Sequence, residues 1–141
     1  MWFKIKLSRN IVDEKGRDKK IQETYLTESD NFAEAGYKVV QIVGTDTEVE
    51  DVCMMKTFKP SANEYKEGNK IFVVKVAQDM NIDDSIKTVK YALPVFADNN
   101  EQLQTIMKDY ISQGLDDMRL TTISETKWIF ISYTTKAQTY V

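Results

Sequence analysis

Hydrophobic and polar residues alternate with a period of two where the chain begins. Phe3, Ile5 and Leu7 fall on one side of the Trp2–Arg9 stretch, and Trp2, Lys4 and Lys6 on the other. That is the pattern of a half-buried strand. A polar stretch, VDEKGRDKK over residues 12–20, has Gly16 near its middle, and IQETYLT over 21–27 follows as the returning strand of a hairpin. Ser29, Asp30 and Asn31 offer helix caps, and Asn31 with Glu34 has capping-box spacing. From Phe32 the period changes. Phe32, Ala35, Val39, Val40 and Val43 make a helical stripe that stops at Gly44. After the acidic run TDTEVED, VCMMKTF over 52–58 reads as a third strand.

Residues 59–69, KPSANEYKEGN, hold Pro60 and Gly68 and have no hydrophobic period, so they read as a linker. The plan then restarts. Phe72, Val74 and Val76 alternate with Ile71, Val73 and Lys75; a polar turn, DMNIDDS, leads to a strand over Thr88–Phe96. Asn99 and Asn100 cap a second helix with Leu103, Ile106, Met107, Tyr110 and Ile111 on one stripe, ended by Gly114. MRLTTIS over 118–124 is the next strand, and KWIFISY over 127–133 adds one with no counterpart in the first half. The expected architecture is α+β: two tandem ββαβ repeats, 1–58 and 71–141, joined by a linker at 59–70. Together they form an antiparallel-rich sheet with two helices packed on one face. Val39, Val40, Leu103, Met107 and Ile111 are the expected helical contributions to the core. Alternating apolar character on both sides of KWIFISY predicts burial of both its faces, in a central strand or at an oligomer interface.

The segments WFKIKL, YLTESDNFAEA, IFVVKV and TISET together resemble a family of duplicated proteins of this chain's length from gut Bacteroidetes and their crAss-like phages. That family carries only a domain-of-unknown-function label. The resemblance runs from Trp2 to about Ile129, and the chain departs from it at Pro94 and in its ending, KWIFISYTTKAQTYV. It implies a duplicated fold and, for a phage protein, a bacterial host cytoplasm. It brings no catalytic residues.

Composition narrows the chemistry. Histidine is absent, which removes the commonest general base and every Ser-His or Cys-His nucleophile. Cys53 is the single cysteine, so no zinc cluster or intrachain disulfide can be built, and a reducing, cytoplasmic setting follows. No apolar run has the length of a membrane span, and Lys4 and Lys6 interrupt any signal-peptide pattern. DMNIDDS begins like a calcium loop, with Asp79, Asn81 and Asp83, but Asp84 stands where glycine is needed and Lys90 where glutamate is needed. In TDTEVED, Asp46, Glu48, Glu50 and Asp51 gather carboxylates without a neighbouring Lys or His, as a solvated loop would. No glycine-rich phosphate loop occurs. Neither a catalytic site, a metal nor a cofactor is expected.

One local excess remains. The net charge is -3, and the isoelectric point near 5.1. Yet up to residue 23 there are seven basic residues (Lys4, Lys6, Arg9, Lys15, Arg17, Lys19, Lys20) against four acidic ones. Trp2 stands among them, on the strand face opposite Phe3, Ile5 and Leu7. A flat ring beside ammonium groups suits base stacking with phosphate neutralisation. Trp128 and Phe130, sharing one face of the last strand, extend it. The primary expectation is therefore a non-enzymatic, oligomeric protein that binds single-stranded nucleic acid or assists replication. Its contacts would come from Trp2, Lys4, Lys6, Arg17, Lys19, Lys20, Trp128 and Phe130. Two alternatives stand beside it: an oligomeric protein-interaction or structural module, and a small-nucleotide binder that sequesters a host signalling molecule.

Overall fold

A computed structural model describes residues 1–44, 47–113 and 117–131. The protein is α+β, with two helices and seven strands in two sheets among the described residues. Four of the five strand pairings are antiparallel. The chain divides into two compact units, one made of Met1–Lys56 with the chain from Trp128 onward, the other of Thr57–Lys127.

In the first unit, β1 (Trp2–Val12) and β2 (Asp18–Glu28) form a hairpin paired without interruption from Trp2↔Glu28 to Val12↔Asp18. Both strands run further into the basic stretch than the apolar alternation indicates. The reason lies in the turn: the Asp13 carboxylate accepts from the backbone N–H of Lys15 (2.9 Å) and Arg17 (2.8 Å). Gly16, at φ 76°, takes the left-handed position that side chains avoid. β3 (Thr47–Met54) pairs antiparallel with β1 and starts inside the acidic run, so Glu48, Glu50 and Asp51 belong to a strand and not to a loop. Asp46 lies outside the described residues. β7 (Ile129–Ile131) pairs parallel with β2, giving the order β3-β1-β2-β7. The helix α1 (Phe32–Val43) opens with Asn31, whose side chain accepts from the Glu34 N–H at 2.8 Å, as the spacing indicates. Phe3, Ile5, Leu7, Tyr25, Ala35, Val39 and Ile131 form its core.

The second unit repeats that order of elements. β4 (Lys70–Ile82) and β5 (Ser85–Ala97) form a long hairpin closed by Asp83 and Asp84, at φ 50° and 63°. Two consecutive left-handed residues make the tight turn that matches strand twist. α2 (Asn100–Ser112) is capped by Asn99, and β6 (Asp117–Glu125) pairs with β4, giving β5-β4-β6. Phe72, Val74, Val76, Leu93, Val95, Leu103 and Met107 are the centre of its core. Pro94 is accommodated because β5 is an edge strand of this sheet.

Three expectations are corrected here. Val40 and Ile111 are half-buried, at the margins of the stripes whose centres Val39, Leu103 and Met107 occupy. Residues 59–69 are not a bare linker. Lys59 N–H donates to the Ala92 carbonyl (2.8 Å) and the Ala92 N–H to the Thr57 carbonyl (3.1 Å). The Asn63 amide bonds both backbone groups of Phe96, at 2.6 and 3.0 Å. Finally, β7 is an edge strand of the first unit: Ile131 is buried, but Ile129 is 40% exposed. Gly114, Ser132 and Tyr133 lie outside the described residues.

Candidate functional site

β1 decides the fate of the expected stacking surface. Trp2 is only 6% exposed, because the face it shares with Lys4 also carries the fully buried Leu26 of β2 and the ring of Phe130. The Trp2 and Phe130 ring centroids are 6.2 Å apart at 49°. Lys4 is half-buried, with its Nζ 5.7 Å from the centre of the Trp128 ring. So Trp2, Lys4, Trp128 and Phe130 do come together, but as a packed cluster. The exposed Trp2 platform is a misreading, and its cause is plain: Lys4 and Lys6 disguise a strand whose second face is covered at the Trp2 end.

The basic turn lies elsewhere. At a strand rise of about 3.3 Å per residue, β1 places Arg17 roughly 30 Å from Trp2. Its charges are also matched. Arg17 faces Asp13 at 3.6 Å, Lys20 faces Glu48 at 3.9 Å, and Arg9 is paired with Glu23. The Arg9 guanidinium is held above its ordinary range, first by its hydrogen bond to Glu23 and then by that carboxylate's charge. Lys6 stands in register with Asp51, while Lys19 is exposed. β3 thus brings the acidic run alongside the basic hairpin and cancels most of the local excess.

That pairing leaves the two outer antiparallel edges unlike. On β3, Glu48, Glu50 and Asp51 are all exposed, and charge of one sign along an edge resists the approach of another strand. β6 is different. Between Arg119, bound to Asp79 at 2.9 Å, and Glu125, bound to Lys70 at 3.0 Å, it presents Leu120, Thr121, Thr122, Ile123 and Ser124. Ile123 is 36% exposed, and among the described residues β6 pairs with β4 alone. The Thr126 N–H donates to the Ile71 carbonyl at 3.0 Å. Ladder alternation then turns the backbone groups of Ile123 and Glu125 away from β4, free to bond another strand.

A family model for a domain of unknown function, DUF4494, matches residues 1–133. The chain belongs to that family. The match spans both units and β7. No curated protein matches the chain. No group of three or more Cys, Asp or Glu among the described residues is placed to hold a metal ion. No helix among them is long and apolar enough to cross a membrane.

Two tyrosines have displaced acidities. Tyr91 is pushed up to about 12, first by burial and then by its hydrogen bond to Tyr110, the two hydroxyls being 3.4 Å apart. Tyr25 is likewise pushed up to about 12 by burial and then by the Glu23 charge. Both lie in core clusters, and their shifts follow from packing. Asp79 is lowered by hydrogen bonds from Thr88 and Arg119.

Proposed function

We propose that the protein is a non-enzymatic interaction module that self-associates by adding strand to strand at β6. The observation that carries this reading is the uncharged stretch from Leu120 to Ser124 on an edge that is unpaired among the described residues, whereas the β3 edge is guarded by Glu48, Glu50 and Asp51. In an antiparallel pair centred on Ile123, each Ile123 meets its own copy and each Thr122 meets Ser124. No like charges are opposed, and the cross-strand pairs are of the favourable kind. The repeated order of elements in the two units fits descent from one duplicated ββαβ unit, with the edge on the second copy released for assembly.

Burial of Trp2 favours this reading over binding of single-stranded nucleic acid, because a stacking platform needs an open ring. Sedimentation velocity over a concentration series tests it. The wild-type protein should form a dimer, and Ile123→Lys, which opposes two ammonium groups, should return it to the 16.3 kDa monomer. A monomer at every concentration would sink the reading. Salt-sensitive binding of an oligonucleotide by the monomer would restore the nucleic-acid alternative.

A further inference from the structure

Each third strand carries one residue more than its central strand matches. In β6, Thr122 stands opposite Lys75 and Leu120 opposite Val76, so Thr121 has no place in the ladder. In β3, Asp51 stands opposite Lys6 and Val49 opposite Leu7, which leaves out Glu50. Lys6 and Lys75 are the fifth residues of WFKIKL and IFVVKV, so the bulge recurs at the same place in both units. Such an extra residue bends its strand, raises the local twist and ends regular pairing. The Thr121 hydroxyl donates to the Lys75 carbonyl at 3.2 Å and ties the bulge to β4. On its carboxyl side, Thr122–Glu125 follow β4 in regular register.

We infer that Thr121 sets the register in which a second copy of β6 is added, a step that rests on the self-association proposed above. The side chains alone specify that register weakly. Thr122 and Ser124 are polar, and Ile123 is 36% exposed, so little is gained or lost when the strands slip. The bulge supplies the missing constraint. A pair centred on Thr122 would set Ile123 of one copy against Thr121 of the other, and the extra residue has no ladder position to offer. A pair centred on Ile123 matches Thr122 with Ser124 and leaves both copies of Thr121 outside the matched residues. Ile123 also has the backbone groups that point away from β4, so it can bond its own copy across the two-fold axis.

Disulfide trapping of the full chain reads the register, in a Cys53→Ser background that removes the native free thiol. With the axis at Ile123, its two Cα atoms lie about 5.5 Å apart, within disulfide reach. The two Thr122 Cα atoms then lie about 8 Å apart, beyond that reach. On oxidation Ile123→Cys should therefore cross-link to its own copy, and Thr122→Cys should not. Deleting Thr121 removes the extra residue and leaves every other β4–β6 pair matched. With the edge then regular from Asp117 to Glu125, Thr122→Cys should cross-link too. Thr121→Ser, which keeps the residue count, should preserve the selectivity. Cross-linking of Thr122→Cys with Thr121 in place overturns the inference, and that comparison needs no deletion. So does trapping that stays confined to Ile123→Cys in a folded deletion variant. Either result leaves assembly at β6 standing, whereas no cross-link at either position in any background removes the self-association reading itself.

Discussion

The two units share an order of elements and differ in what they do with charge. The first sets acidic β3 beside the basic hairpin and buries Lys38 under α1; the second buries only apolar side chains on α2 and leaves β6 neutral at its edge. The same topology thus supports a guarded surface in one unit and an open one in the other. The difference lies in side chains, since both third strands occupy the same place next to a central strand.

The largest expected effect tests the cores. Leu103→Ala should cost about 2–5 kcal/mol in chemical denaturation, the range for a buried leucine. Val39→Ala in α1 should cost less, by about 0.8 kcal/mol for the one methylene it lacks. Equal losses would mean that the two helices are anchored alike. Lys38→Met comes next. Removing the ammonium leaves the Glu28 carbonyl without its donor, and a loss of about 1–3 kcal/mol should follow, measured in the same way. An unchanged midpoint would show that the buried charge is replaceable, and would erase one contrast between the units.

The edges come third. Glu48→Thr with Glu50→Thr should shift stability by no more than about 0.5 kcal/mol each. The double variant should nevertheless raise the association measured by sedimentation, because the guard on β3 is gone. If association stays at the wild-type level, β3 is protected by something other than its carboxylates. The last effect is confined to alkaline pH. Tyr91 and Tyr25 have folded-state values raised from 10.0 to about 12, so their neutral forms favour the folded state. That stabilisation is complete below pH 10 and disappears as pH rises from 10 to 12, as the protein's denaturation midpoint should report. Tyr91→Phe should flatten that alkaline decline.

The helices were legible in the chain because capping and periodicity are local: Asn31 with Glu34, Asn99 with Gln102, and stripes centred on Val39 and Leu103. The α+β class followed from the same signals. Strand limits were less legible, since Asn10, Lys19 and Lys20 are held in the ladder by a turn at Asp13 and Gly16 and not by burial. Lys38 escaped notice because the group that satisfies its ammonium, the Glu28 carbonyl, belongs to another element. Trp2 was misjudged for a related reason. Its cover includes Phe130, from the opposite end of the chain, and no spacing near Trp2 announces that. β6 carried its message plainly in Thr121–Ser124, yet only its place at the edge makes neutrality matter.

The position of β7 has a consequence for biosynthesis. Chains emerge from the ribosome amino end first, and domains generally begin folding as they emerge. The first unit cannot finish on that schedule. Its β1–β2 hairpin, α1 and β3 are available early, but the strand that pairs along Tyr25–Thr27 and the ring that covers Trp2 are translated after the whole of the second unit. Until then Trp2 and Leu26 lack part of their cover, so the half of the protein made first is the half completed last.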